Sequence, residues 1–134
     1  MPGESVKIFE QYLDYSTIKQ KLVAKNISNI STLNYKREDM SFDDYLRETE
    51  KNDLKTTNAN QYEFGITING NKPEDKAIVQ DDNPELESNF NNVDIDKEMA
   101  DLAQNSIMFK FASRKVGNYY KNLQSIIQIG RAHV

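Results

Sequence analysis

The feature that most constrains the fold is an apolar seam towards the C-terminal end of the chain. Apolar or small residues recur there in alternating steps of four and three, which keeps them on the side of an α-helix that faces a partner helix. The sequence therefore predicts a helix from Ile95 to Gln128, about 50 Å long at 1.5 Å per residue, with Asp94 as its N-cap. The seam consists of Ile95, Met99, Leu102, Ser106, Phe109, Ser113, Val116, Tyr120, Leu123 and Ile127.

A second helical pattern lies near the N-terminal end, between Glu4 and Ile30, where neither Pro nor Gly interrupts the chain. Val6, Phe9 and Leu13 share one face, but the apolar stripe shifts around the helix further along. The shift indicates that this helix bends or contacts partners on more than one side.

The N-terminal helix is the only segment long enough to cover the C-terminal seam. We therefore predict a mainly α fold in which the long N- and C-terminal helices pair as an antiparallel coiled coil. Tyr119, Ile126 and Ile127 would stay uncovered, and an uncovered apolar stripe predicts assembly with other chains. Gly117, inside the C-terminal helix, is interpreted as a point of close approach for another helix or as a slight bend.

Residues 37–92 form a polar middle region, predicted to be exposed and partly disordered, with a short helix and minor β structure. Ser41 is a candidate cap for a helix from Phe42 to about Glu50. The alternating segment Tyr62–Ile68 predicts a strand. The rest, residues 71–92, is rich in Asn, Asp and Glu and is expected to be an exposed loop.

Composition argues against several classes of function. The net charge is −4, with basic and acidic residues interspersed, so we expect no nucleic-acid partner. The chain has no cysteine and a single histidine, His133, which leaves no credible catalytic triad or metal site. We therefore expect no enzymatic activity, no cofactor and no small-molecule substrate. The acidic run at residues 80–83 keeps a small enzyme as an alternative, although it lacks the spacing of a calcium-binding loop.

The sequence shows no apolar run of transmembrane length and no pattern of a cleavable secretory signal. We therefore expect no direct membrane insertion, and any export is expected to use a route without signal-peptide cleavage.

Two segments resemble known motifs. Lys25–Lys36 reads KNISNISTLNYK and resembles the N-terminal signature of the flagellar axial proteins, the family of rod and hook subunits. Asn92–Asn105 reads NVDIDKEMADLAQN and resembles a C-terminal segment typical of one type of basal-body rod protein rather than its sister type. The family's Pro-Gly is replaced by Leu33 and Asn34, and Asn can adopt the left-handed conformation that such a turn often needs.

The resemblance implies a structural subunit of the proximal rod in the bacterial flagellar basal body, which polymerises into the hollow drive-shaft used for motility. It also implies export by the flagellar type III apparatus without a cleaved signal peptide. The implied partners are other rod subunits, further copies of this chain, the basal-body base and the export apparatus. The sister type of rod subunit and a non-flagellar coiled-coil adaptor remain alternatives.

The turn after the N-terminal helix is the second candidate region for assembly. Asn26 and Asn29 are expected to bond the last helical carbonyls or a neighbour's backbone, and Tyr35 is expected to find a partner for its hydroxyl. The candidate assembly residues are Asn26, Ile27, Asn29, Tyr35, Ile95, Met99, Leu102, Phe109, Val116, Tyr120, Leu123 and Ile127.

These predictions divide the chain into an N-terminal assembly helix and turn (1–36), an exposed middle region (37–92) and a C-terminal assembly helix (93–128). The remaining residues, 129–134, resemble a translated sequencing adapter, so they are a candidate non-native tail; a native polar tail is the alternative.

Overall fold

The computed structural model of the chain describes residues 2–58, 73–81 and 93–132. Helices dominate the described part, in agreement with the predicted mainly α fold. The elements, in chain order, are helix α1 (Pro2–Ser28), strand β1 (Glu38–Asp39), helix α2 (Phe42–Asn58), a short 3-10 helix (Pro73–Ala77), strand β2 (Val79–Gln80) and helix α3 (Ile95–Ala132).

Helices α1 and α3 pack against each other in antiparallel orientation. Near the start of α1, Phe9 packs edge-on against Phe111, with 6.0 Å between the ring centroids. Near its end, Asn26 reaches Glu98, with 3.3 Å between Nδ2 and Oε2. Residue numbers therefore rise along α1 while those of its partners fall along α3, and the predicted antiparallel pair is confirmed.

Helix α1 also packs against the middle of the chain. Its second face contributes Tyr15 and Leu22 to a small core that contains Met40, Tyr45 and Ala77. The Tyr15 hydroxyl donates a hydrogen bond of 3.0 Å to the Met40 carbonyl oxygen. Two packing faces on one helix explain why its apolar stripe shifts, so the prediction of partners on more than one side is confirmed.

Helix α2 begins as predicted after Ser41, whose Oγ accepts a hydrogen bond of 3.2 Å from the backbone N–H of Asp44. The helix continues past Glu50 to Asn58, because neither Pro nor Gly interrupts residues 42–58. The strand predicted at Tyr62–Ile68 lies outside the described residues.

Residues 73–81 correct the prediction of an exposed loop over 71–92. They form the 3-10 helix and β2, which pairs antiparallel with β1 in the register Glu38 with Gln80 and Asp39 with Val79. Ala77 is only 3% exposed, because its small side chain fits against the aromatic core between α1 and α2. The polar composition of the segment gave no indication that Ala77 would be buried.

The ends of the long helices differ slightly from the prediction. Helix α1 ends at Ser28, two residues before Ile30. Helix α3 begins at Ile95 as predicted, with the Oδ1 of Asp94 accepting a hydrogen bond of 3.0 Å from the N–H of residue 96. It continues beyond Gln128 to Ala132. Within the part of the chain that the structure describes, no helix combines the length and apolarity needed to cross a membrane.

Candidate assembly interface

The turn that ends α1 is held by side chains from its own sequence. The Nδ2 of Asn29 donates to the Lys25 carbonyl oxygen at 2.7 Å, and its Oδ1 accepts from the Thr32 hydroxyl at 3.0 Å. The predicted bond from Asn29 to a last helical carbonyl is therefore confirmed. Asn34 has a φ of 59°, the left-handed conformation expected where the family has Gly.

The side chain of Asn26 joins the end of α1 to β1. Its Nδ2 donates to the Glu38 carbonyl oxygen at 2.8 Å, and its Oδ1 accepts from the Glu38 N–H at 3.0 Å. The carboxamide thus pairs with the Glu38 backbone as a neighbouring strand would, and the predicted bond from Asn26 to a last helical carbonyl is corrected to this one. The Tyr35 hydroxyl also donates to Asn26 Oδ1, at 2.8 Å, which confirms that the tyrosine hydroxyl has a partner. Ile27 lies beside Asn26 and is half-buried.

A buried ion cluster lies next to Asn26, between β1 and the start of α3. Arg37 is 3% exposed and Glu98 is 0% exposed, and the Arg37 Nε donates to Glu98 Oε1. The same guanidinium donates to Asp101 at 3.0 Å and to Asp39 at 3.3 Å. One cation therefore holds carboxylates from two elements, and this arrangement fixes the start of α3 against the turn.

Charge and burial act in opposite directions on the pKa values in this cluster. Burial alone would lower the pKa of Arg37, but the hydrogen bond to Glu98 and the neighbouring carboxylate charges raise it above its usual value. Burial alone would raise the pKa of Asp39, but the hydrogen bond from Lys19 and the positive charges nearby hold it below its usual range. Arg37 and Asp39 are therefore both ionised at neutral pH.

A second buried polar contact joins the two helices further along. The Ser16 hydroxyl donates to the Oδ1 of Asn105 at 2.8 Å, and the Nδ2 of Asn105 donates to the Ser16 carbonyl oxygen at 3.0 Å. Both side chains are buried. The pair therefore satisfies polar groups that would be costly to bury alone.

The predicted seam on α3 is only partly the surface that meets α1. The buried residues of α3 are Glu98, Asn105 and Ala112, one position before the predicted Met99, Ser106 and Ser113. This offset is a correction to the predicted pairing face, and its physical reason is that Glu98 and Asn105 find polar partners on α1 and on the turn.

The other candidate seam residues divide by exposure. Leu102 and Val116 are half-buried beside the line of buried residues on α3. The remaining candidates are exposed, and these are Ile95, Met99, Phe109, Tyr120, Leu123 and Ile127.

Four site residues, Arg37, Glu98, Ser16 and Asn105, were missed by sequence reasoning. Glu98 and Asn105 are not part of the predicted apolar seam, so the search for periodic apolar residues did not single them out. Two signals were available: Glu98 and Asn105 both lie in the Asn92–Asn105 segment that resembles the rod-protein motif, and Glu98, Asn105 and Ala112 are seven residues apart on one face of α3. Arg37 gave no signal, because its partner Glu98 is 61 positions away in sequence.

Within residues 2–58, 73–81 and 93–132, no group of three or more His, Cys, Asp or Glu side chains is placed to hold a metal ion. An open groove of about 410 Å³ lies beside the ion cluster. Its lining is mixed, with acidic, basic and apolar side chains, and consists of Arg37, Asp39, Met40, Ser41, Asp44, Val79, Gln80, Asp81 and Lys97.

Comparison with known proteins gives a consistent set of relatives. The flagellar basal body rod protein FlgB of Bacillus subtilis (strain 168) is 30% identical over 128 residues, which cover 95% of this chain and 95% of that protein. FlgB of Borreliella burgdorferi is 30% identical over 129 residues, covering 92% and 96%. FlgB of Aquifex aeolicus is 27% identical over 128 residues, covering 95% and 94%. No protein-family model matches the chain.

Proposed function

Since the chain belongs to the FlgB family of flagellar basal body rod proteins and is a structural subunit of that rod, we propose that it polymerises through its two terminal helices. The sister type of rod subunit and a non-flagellar adaptor are not favoured, because the relatives that match over nearly the whole chain are FlgB proteins.

The observation that carries this proposal is the apolar surface that the helix pair leaves exposed. On α3, Ile107 is 68% exposed, Ile126 is 65% exposed and Ile127 is 57% exposed. Fully burying an aliphatic side chain of this size contributes roughly 1.5–3 kcal/mol. Association costs about 4–15 kcal/mol, so a stable contact between copies has to bury further exposed apolar residues of α3 as well, such as Met99, Phe109 and Leu123.

Part of this surface lies beyond the end of α1. The hydroxyl of Tyr119 lies near Gly3, at the start of α1. Residues 121–132 of α3 therefore extend past their intramolecular partner, and all of them are exposed. A neighbouring subunit can therefore bury the exposed side chains of Leu123, Ile126 and Ile127.

The remaining parts of the proposal rest on membership of the FlgB family. The helix segments 1–36 and 93–128 form the contacts within the rod, and the middle region 37–92 is not needed for them. The partners are other rod subunits, the basal-body base and the flagellar type III export apparatus, which exports the chain without cleaving a signal peptide. The interspersed acidic and basic residues and the exposed apolar residues of α3 support protein partners rather than nucleic acid.

The test is complementation of a strain that lacks the gene. Ile126→Asp places a charge in the proposed contact, where burying it unpaired would cost several kcal/mol, and we expect loss of swimming and of basal bodies that contain the rod. Ser125→Asp adds the same charge at an adjacent exposed position and serves as the matched control. Immunoblots must show equal protein levels. Normal motility with Ile126→Asp would refute the proposed contact.

A further inference from the structure

The buried residues of α3 are unusual in their chemistry. Glu98, Asn105 and Ala112 follow each other at heptad spacing, so all three face α1 and the adjoining turn, and two of them are polar. Well-packed apolar residues at such positions often give equal or greater stability than buried polar pairs. The presence of two polar residues, Glu98 and Asn105, at these buried positions therefore needs an explanation other than the stability of the helix pair.

Each of the two polar residues is fully matched by specific partners. Asn105 exchanges two hydrogen bonds with Ser16, one with the side chain and one with the backbone. Glu98 accepts from the Arg37 guanidinium and from the carboxamide of Asn26. In the described part of the chain, every buried side-chain nitrogen and oxygen has a hydrogen-bond partner.

Sliding α3 along α1 by one heptad would break this matching in either direction. In one direction Ala112 comes to lie against Ser16, and Glu98 is withdrawn from Arg37. In the other, Glu98 meets Ser16, and Arg37 loses its buried carboxylate. Apolar contacts have no directional requirement, so they discriminate between these alignments less sharply than the hydrogen bonds of Glu98 and Asn105 do.

We propose that Glu98 and Asn105 are register-determining residues, which select a single alignment of the two terminal helices while the apolar residues supply most of the attraction between them. In this alignment Glu98 bonds Arg37 and Asn105 bonds Ser16. This inference goes beyond polymerisation, since it concerns pairing within one chain and does not depend on how copies of the chain associate.

The experiment measures the alignment directly by double electron–electron resonance. The chain has no cysteine, so spin labels on Lys7→Cys and Gln104→Cys, two exposed positions on α1 and α3, are the only ones present. With the native polar pairs we expect one narrow distance peak. In S16A/N105L we expect a second peak, because a slip of one heptad shifts the labels by about 10 Å along the helix axis.

Two further variants complete the test. R37M/E98M replaces the other pair by apolar side chains and is expected to give a second peak as well. T17A is the matched control, because the Thr17 hydroxyl bonds only within its own helix, to the Leu13 carbonyl oxygen; its distribution is expected to equal that of the parent.

Three results would overturn the proposal. The first is a single narrow peak in both apolar double variants, since apolar packing would then suffice for the alignment. The second is a broad distribution in the parent protein. The third is loss of helical circular dichroism in both double variants, since the polar pairs would then be required for folding itself. If only one double variant loses its helical signal, the number of distance peaks in the other double variant decides whether the proposal stands.

Discussion

Replacing Arg37 by methionine is expected to destabilise the protein by about 3–5 kcal/mol, because it leaves the Glu98 carboxylate buried without its cation. Glu98 is 0% exposed, so water cannot take the place of the guanidinium. The folding free energy of a domain is typically about 5–15 kcal/mol, so the loss is a large share of the total. At a denaturant slope of roughly 2 kcal/mol/M, the midpoint of urea unfolding falls by about 2 M.

The double variant R37M/E98M separates an unpaired charge from a general loss of packing. It removes both charges and keeps two flexible apolar side chains of similar volume, so we expect it to recover most of the stability that the single variant loses. The matched control is Lys25→Met, because the ion pair of Lys25 with Glu38, at 2.9 Å, is largely exposed on the lysine side. Breaking such an exposed pair costs at most about 1 kcal/mol.

The assay is urea unfolding followed by far-ultraviolet circular dichroism, with all variants at one protein concentration. Two outcomes would refute the reasoning. One is a loss of less than about 1 kcal/mol in the single variant, the size expected for an exposed pair. The other is a double variant as unstable as the single one, since packing of Arg37 rather than its charge would then hold the cluster together.

Three further predictions concern other parts of the chain. Burial, with smaller contributions from neighbouring charges, raises the pKa of Tyr15 to about 12. The stability that this shift contributes is fully present below the ordinary tyrosine pKa of about 10, and roughly 2–3 kcal/mol of it is lost as the pH rises to about 12. The pH profile of Tyr15→Phe should lack this loss. Gly117→Ala is expected to raise stability by about 1 kcal/mol, since nothing lies within 4 Å of the added Cβ. Thermal unfolding measures the gain. A stabilised variant that no longer forms rods would show that a neighbouring subunit approaches closely there. Replacing Leu33 and Asn34 by Pro and Gly is expected to keep swimming intact, because Asn34 already has a positive φ. Asn29→Ala is expected to reduce basal-body recovery more than it reduces the protein level. Loss of swimming in the Pro-Gly variant together with normal basal bodies in Asn29→Ala would contradict the role given to this turn.

The sequence predicted the helices well because a helix that buries one face must repeat apolar residues with its own period. The start of α3 at Ile95 and the Ser41 cap of α2 followed from local patterns that need no knowledge of the fold. The same reasoning indicated that Asn34 can adopt the left-handed conformation, and its φ of 59° shows that it does. In each case the physical cause lies within a few residues of the effect.

The polar contacts could not be predicted in the same way. A search for apolar periodicity treats Glu98 and Asn105 as interruptions, although both are buried where α3 meets α1 and the adjoining turn. The partner of Glu98 is Arg37, whose position depends on the turn after α1 and on β1. Ala77 was missed for a related reason, because only the assembled aromatic core shows that a small residue is needed there.

The unequal lengths of the paired helices give the subunit two different ends. Helix α1 has 27 residues and α3 has 38, so one end of the pair is double and the other is a single exposed helix. If two single ends covered each other, the contact would be symmetric and the assembly would stop at a dimer. If instead the single-helix end of one subunit packs against the side of the helix pair in the next subunit, the contact is head-to-tail. Each added subunit then still has a free single-helix end or a free helix-pair side for the next contact. For a rod subunit the second arrangement is the useful one, since growth then proceeds in a fixed direction and every added subunit points the same way along the axis.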